Sequence, residues 1–101
     1  VDIRVGTVLR AEANNDLKKP SIILEIDFGQ QIGIKKSSAQ LKSNYEVQDL
    51  IHKQVAAVIN FPAKQIGKVI SEVLVLGFPD NQNEPILVSP DFKIENGGRI
   101  Y

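Results

Sequence analysis

A chain of 101 residues is long enough to bury one real core and too short for two, so a single domain over residues 1–101 is expected. Its 43% hydrophobic and 24% charged residues are ordinary for a soluble globular protein. Twelve basic and twelve acidic side chains cancel to a formal charge of zero, which argues against nucleic-acid binding through bulk charge but leaves a local patch open.

Without cysteine there is no disulfide framework, no thiolate metal site and no cysteine nucleophile; a reducing cytosol suits such a chain, and a cytoplasmic location is expected. No run approaches the roughly 18 apolar residues of a membrane span, and no charged-then-apolar leader opens the sequence. The chain starts on Val1 rather than Met, with residues that already alternate like a strand, so a trimmed or longer natural N-terminus is expected.

Val1, Ile3, Val5, Thr7, Leu9, Ala11 and Ala13 share one side of a period-two pattern, with Val8 as the exception. This predicts a long half-buried strand, in which Gly6 marks a bulge or bend. A polar loop carrying Asn14-Asn15-Asp16 and Lys18-Lys19-Pro20 follows. Ile22, Leu24, Ile26 and Phe28 then alternate with Ile23, Glu25 and Asp27 as strand two, ended by Gly29. Ile32-Gly33-Ile34 opens strand three, which leads into Lys35-Lys36-Ser37-Ser38. Ser37 or Ser38 reads as a helix N-cap, with Leu41 and Tyr45 on one face and helical turns between about residues 38 and 52.

Strand four is read over Gln54–Ile59 and strand five over Val69–Leu76, the apolar residues of the latter counted as core. Phe78–Asn83 reads as a turn-rich loop and Pro85–Pro90 as a proline-fenced edge strand. Asn96-Gly97-Gly98 suits a turn with positive φ, so Arg99-Ile100-Tyr101 is expected to close a last hairpin. Three strands, a short helix between strands 3 and 4, two more strands and extra C-terminal strands predict an all-β fold, a five-stranded Greek-key barrel of the OB type. An SH3-like barrel is the nearest competitor, but it does not call for that helix.

The zero net charge hides an uneven distribution. Gln30 to Tyr45 holds Lys35, Lys36 and Lys42 with no acid; Ile51 to Ser71 holds His52, Lys53, Lys64 and Lys68, again with no acid. From Glu72 onward five acids face two basic residues. These lysines are either plain solvated surface or a phosphate-binding rim on the face that OB barrels use. Phe61, between Asn60 and Pro62, is either a stacking platform or tucked into the barrel end. Ser71-Glu72 reads as a polar pair at a strand start satisfying loop amides, His52 as a surface or capping residue, and Glu25 with Asp27 as one solvent face. Nothing assembles a triad, a P-loop, a dinucleotide fingerprint or a metal site, so neither catalysis nor a cofactor is expected.

Several blocks together carry a resemblance: Asp2-Ile3-Arg4-Val5-Gly6-Thr7-Val8, Ile26-Asp27-Phe28-Gly29, Lys35-Lys36-Ser37-Ser38-Ala39-Gln40, Asn60-Phe61-Pro62 with Ile66-Gly67, and Ser71-Glu72-Val73-Leu74-Val75-Leu76-Gly77. Over nearly the whole chain they resemble the CsaA family, small secretion-associated chaperones built on the tRNA-binding domain. The wider relatives include the C-terminal domain of bacterial methionyl-tRNA synthetase. The resemblance implies an OB fold, a homodimer, and an RNA face at the positions of Lys35, Ser37, Ser38, Asn60, Lys64, Gln65, Ile66, Ser71 and Glu72. Lys36, Lys68 and Phe61 join these as candidates from the charge and aromatic pattern. In one departure, Ala63 follows the proline where the family often carries tandem arginines or lysines. The chain also starts at the Asp-Ile-Arg block, without the short helical segment that usually precedes it. Two functions are expected to compete, or to share one face: binding unfolded or precursor polypeptides, and recognising tRNA shape through phosphates. A third role for the loop is dimerisation alone.

Overall fold

The computed structural model describes residues 1–16 and 18–101. Strands β1 (Ile3–Asn14), β2 (Ser21–Asp27), β3 (Ile34–Ala39), β4 (Gln54–Val58) and β7 (Leu74–Val75) form one antiparallel sheet in the order β3-β2-β1-β4-β7. Two small hairpins complete the strands, β5 (Lys64–Ile66) with β6 (Val69–Ser71) and β8 (Gly77–Pro79) with β9 (Pro85–Leu87). A four-residue helix, α1 (Val47–Leu50), lies between β3 and β4. This is the expected OB-type half-barrel.

The curl of the sheet comes from β1, which changes partners along its length. Ile3–Thr7 pair with β4, while Thr7–Asn14 pair with β2. The ladder with β2 shifts register between Val8 and Arg10, so Leu9 is the extra residue of a bulge. Gly6, where the bend is expected, does a different job. A Cβ there would lie 2.6 Å from Ile26 Cγ2 and 2.8 Å from Phe28 Cδ1, so its bare backbone lets β2 pack close. Val8, the apparent exception to the alternation, is fully buried, whereas Leu9 is 38% exposed. In the first half of β1 the barrel interior therefore takes Gly6 and Val8, and Ile3 and Val5 face the other way.

Strand β2 follows its sequence pattern: Ile22, Leu24, Ile26 and Phe28 are all buried, and Gly29 ends the strand at φ +93. Every residue of β4 is buried. With Val8, Leu41, Leu50, Val55, Ala57, Val73 and Leu87 these side chains make one core.

Three expectations fail, each to tertiary pairing. Ser37 and Ser38 are not helix caps. They lie in β3, opposite Leu24 and Ile23, because ladder bonds to β2 outweigh local capping. The helix is capped instead by Glu46, in a reciprocal capping box with Asp49. Before it, Tyr45 N–H donates to Leu41 O, and Tyr45 Oη accepts from Leu87 N–H at 2.9 Å.

The expected strand Val69–Leu76 is broken into β6, β7 and the start of the β8 hairpin. Glu72 turns its backbone toward β3, which interrupts any single ladder. Of its apolar residues only Val73 is fully buried; Ile70 and Leu74 are each about half exposed. Phe78–Pro79, expected in a loop, belong to β8.

Finally, Arg99–Tyr101 close no hairpin. Gly97–Ile100 lie along the first half of β1, on the edge that β2 leaves free. Val5 N–H donates to Gly98 O (3.0 Å), Ile100 N–H to Ile3 O (2.9 Å) and Gly97 N–H to Val5 O (2.8 Å). Arg4 bridges Arg99 in this pairing. This tail covers the second apolar face of β1, and Asp2 clasps it by bonding Arg4 Nε at 2.7 Å and lying 3.5 Å from Arg99 Nε.

Candidate nucleic-acid and peptide interface

Strand β3 is the last strand on its side of the sheet, and an open edge offers unpaired N–H and C=O groups to any passing strand. Ser71 and Glu72 occupy that edge. Lys36 N–H donates to Glu72 Oε1 (2.9 Å), and Lys36 O accepts Glu72 N–H (2.8 Å) and Val73 N–H (3.3 Å). Ser38 N–H donates to Ser71 Oγ (3.0 Å), which in turn donates to Val73 O (3.3 Å). Ser38 Oγ lies 3.1 Å from Ser21 Oγ. The Ser-Glu pair therefore satisfies amides of the strand β3 where loop amides were expected, because the edge of the sheet is what comes within its reach, and it docks the β5–β6 hairpin against the barrel.

Alternation along β3 divides its candidates. Lys36 and Ser38 pair with Glu25 and Ile23 on the outer face, whereas Lys35 and Ser37 pair with Ile26 and Leu24 on the inner one. Ser37 is accordingly buried, and Lys35 is half-buried at the end of the strand. The docked hairpin and the outer face of β3 enclose an open cleft of about 540 Å³. Its floor is Ile34, Val69 and Ile70, and its rim carries Lys36, Lys68, Glu25 and Glu72. Ile34 and Ile70 are 56% and 49% exposed, enough apolar surface to receive a ligand.

The stretch Asn60–Gly67 is half loop, Asn60 to Ala63, and half hairpin. Lys64 pairs with Ser71, Gln65 with Ile70 and Ile66 with Val69, and Gly67 at φ +62 makes the reversal. Lys64 and Gln65 are exposed, Ile66 is half-buried, and Gln65 Nε2 donates to Gly67 O (3.1 Å). Asn60 is a clamp: its Oδ1 accepts Asp2 N–H at 2.8 Å, tying the end of β4 to the start of β1. Phe61 is 45% exposed, so it is not tucked into the barrel end.

Electrostatically the cleft is mixed, with Lys36 and Lys68 set against Glu25 and Glu72 and no net formal charge. Among the described residues none of Lys35, Lys36, Lys64 and Lys68 lies in an ion pair, while Glu25 approaches Arg10 at 3.9 Å. The acid-free run 51–71 does not gather in one place. His52 and Lys53 sit at the opposite end of β4 from the hairpin, and in the other acid-free run, 30–45, Lys42 Nζ donates to Asn15 Oδ1. Among the described residues no group of His, Cys, Asp and Glu could hold a metal ion, and no helix is long and apolar enough to cross a membrane. Perturbed ionisation lies outside the cleft. The Arg4 hydrogen bond holds Asp2 below the usual carboxylate range, and bonds from Asn44 and the Glu84 and Gln82 amides do the same for Asp80. Sequence reasoning missed Ile34, Val69 and Ile70. Their signal was visible as apolar residues beside lysines, but their exposure depends on the broken strand.

These features define an OB barrel carrying a mixed-charge, partly apolar outer cleft, the general form of a nucleic-acid or peptide reader. Residues 3–99 match the family model described as a putative tRNA binding domain. The structure superposes on the chaperone CsaA of Bacillus anthracis str. Ames with a TM-score of 0.93 and 44% identity, covering 99% of this chain and 90% of that one. The CsaA chaperone protein of Picrophilus torridus gives a TM-score of 0.91 and 45% identity, covering 99% and 91%. In sequence, the methionine–tRNA ligase of Methanococcoides burtonii is 37% identical over 102 residues, all of this chain but only 14% of the ligase. The chain thus belongs to the tRNA-binding-domain family, on its CsaA branch.

Proposed function

We propose that this chain is a non-catalytic, CsaA-type chaperone, a single cytoplasmic OB domain that binds unfolded or precursor polypeptides bound for export. The observation that carries this reading is the 44–45% identity to two CsaA chaperones over nine-tenths of their length. The cleft supports it, since its apolar floor of Ile34, Val69 and Ile70 suits the side chains of an extended segment. Suppression of aggregation of a denatured substrate, together with binding of extended peptides, tests it. Ile70→Asp should abolish both in a folded protein, and a wild-type protein that does neither removes the reading.

A second reading, tRNA binding by shape and phosphate contacts, is favoured by the family match over residues 3–99 and by the Lys36 and Lys68 rim. Here the lysines would displace counterions, so a tRNA shift should weaken steeply with salt. The two functions are compatible on one face, with Ile34, Val69 and Ile70 beside two lysines that lie in no ion pair among the described residues.

Homodimerisation belongs to the same proposal. Phe78 and Ile86 on the β8–β9 hairpin, with Phe92, Ile94, Ile100 and Tyr101 in the tail, are large apolar side chains left exposed, surface that a second copy of the chain would cover. Sedimentation of wild type and Phe78→Asp tests that face. The same measurement on Phe61→Ala tests whether the hairpin arm takes part.

A further inference from the structure

Asn96-Gly97 is the one asparagine–glycine pair in the sequence. The structure makes both residues hard to replace. Gly97 has φ +93, and a Cβ on it would stand 2.6 Å from Phe28 O. Asn96 Oδ1 accepts two hydrogen bonds, from Thr7 Oγ1 at 2.7 Å and from Gln54 Nε2 at 3.0 Å. The same Gln54 amide holds Ile94 through both its ends, so this knot fastens the whole tail to β1 and β4. Arg4 Nη1 adds a bond to Gly97 O at 2.9 Å.

We propose that Asn96 is a deamidation site that the fold holds shut and that detachment of the C-terminal tail opens. A glycine after asparagine leaves the backbone nitrogen uncrowded, which is what intramolecular attack requires. The Gly97 nitrogen attacks Asn96 Cγ and a C–N bond forms, closing a five-membered imide. The side-chain nitrogen leaves as ammonia, carrying the proton that Gly97 N gives up. Water then opens the imide at either carbonyl, giving aspartate or isoaspartate. The net change is one water consumed and one ammonia released, with no redox partner.

In the folded chain the nucleophile and the electrophile are both engaged. Gly97 N–H is committed to Val5 O at 2.8 Å, and the carboxamide is pinned by donors from two strands, so it cannot swing over the nitrogen. Attack needs Gly97–Ile100 to peel away from β1, a local opening of the kind edge segments undergo. Isoaspartate adds a methylene to the main chain, so Gly97, Gly98 and Ile100 no longer meet Val5 and Ile3 in register. The step is then one-way. Release of the tail takes Gly98 and Ile100 out of the apolar pocket they line with Ile3, Val5 and Ala56, and leaves those β1 and β4 side chains in water.

Peptide mapping by mass spectrometry, over a time course at mildly alkaline pH, tests this on the full chain. It compares native protein, protein in urea, and an Asp2→Ala variant that frees Arg4 and Arg99 from their shared carboxylate. Asn96 should convert at least about tenfold faster in urea than in the native chain, with Asp2→Ala in between. The other asparagines, at 14, 15, 44, 60, 81 and 83, are not followed by glycine and serve as the internal reference. Equal rates for Asn96 in folded and unfolded chains would overturn the proposal. So would a modified chain that refolds with the Val5 and Ile100 amides as protected from hydrogen exchange as before. Should Asp2→Ala unfold, the urea comparison decides alone.

Discussion

Ser71 and Glu72 close the open edge of the barrel, and truncating them separately tests that role. Ser71 is 7% exposed, and its Oγ is the acceptor for Ser38 N–H. Ser71→Ala leaves a half-buried strand amide and the Val73 carbonyl each without a partner. A buried group deprived of its partner costs about 1–3 kcal/mol. Glu72→Ala removes an acceptor from Lys36 N–H at a more exposed place, where water replaces the carboxylate, so the loss should stay near the net value of about 0.5–1.5 kcal/mol. Glu72 N–H still bonds Lys36 O in that variant, which keeps the hairpin partly docked. Urea unfolding reads both. With a slope of about 1–3 kcal/mol per molar, Ser71→Ala should lower the midpoint by roughly 1 M, and Glu72→Ala by less. Hydrogen exchange at the Ser38 amide should accelerate in the first variant and at Lys36 in the second. Because the two residues dock the same hairpin, the double variant should depart from additivity. If Ser71→Ala keeps its midpoint and its Ser38 protection yet loses ligand binding, Ser71 touches the ligand and does not close the edge.

Three further outcomes are expected. Gly6→Ala should lose about 1–3 kcal/mol or more, because its Cβ would drive into the Ile26 and Phe28 side chains, and urea midpoints measure it. Lys36→Glu with Lys68→Glu should weaken a tRNA shift and flatten its dependence on log salt by about 0.7–0.9 for each phosphate no longer neutralised; an unchanged slope places the RNA elsewhere. Asp80 has its carboxyl held below its ordinary value of 3.8, so its contribution is fully present above that value and is lost as pH falls through the lower folded one. Below pH 3.8 the Gln82 and Glu84 amides should therefore lose exchange protection, while in Asp80→Asn that pH step should vanish.

The cleft was only partly readable from the chain. The resemblance blocks point to this region of the chain; Lys36, Lys68 and Glu72 line the cleft, and Ser71 is buried beside it at the edge of β3. Lys35 and Ser37 do not join them, since side chains on a strand alternate and these two point inward. Whether Lys36 or Lys35 faces out is a matter of register with β2, which no count of charges in β3 reveals.

The sequence by itself determined the elements whose burial is one-sided or complete. Ile22-Leu24-Ile26-Phe28 must put one face in a core at any register that works, Gln54–Val58 is apolar enough to be buried throughout, and Gly29 must end its strand. Tertiary structure decided everything that has two acceptable answers locally. The first half of β1 has apolar residues on both faces, Ile3 and Val5 on one and Val8 on the other, so only the bulge at Leu9 and the tail paired with Val5 choose which face lines the barrel. Ser37 and Ser38 are good caps and adequate strand residues, and the β2 ladder settles them. Val69–Leu76 has the composition of one buried strand. It is broken because the open edge of β3 needs partners, and the hydroxyl and carboxylate of Ser71 and Glu72 are placed to supply them. Backbone groups left without partners at a sheet edge are costly in any fold, but which residues relieve them is set by what the folded chain brings within reach.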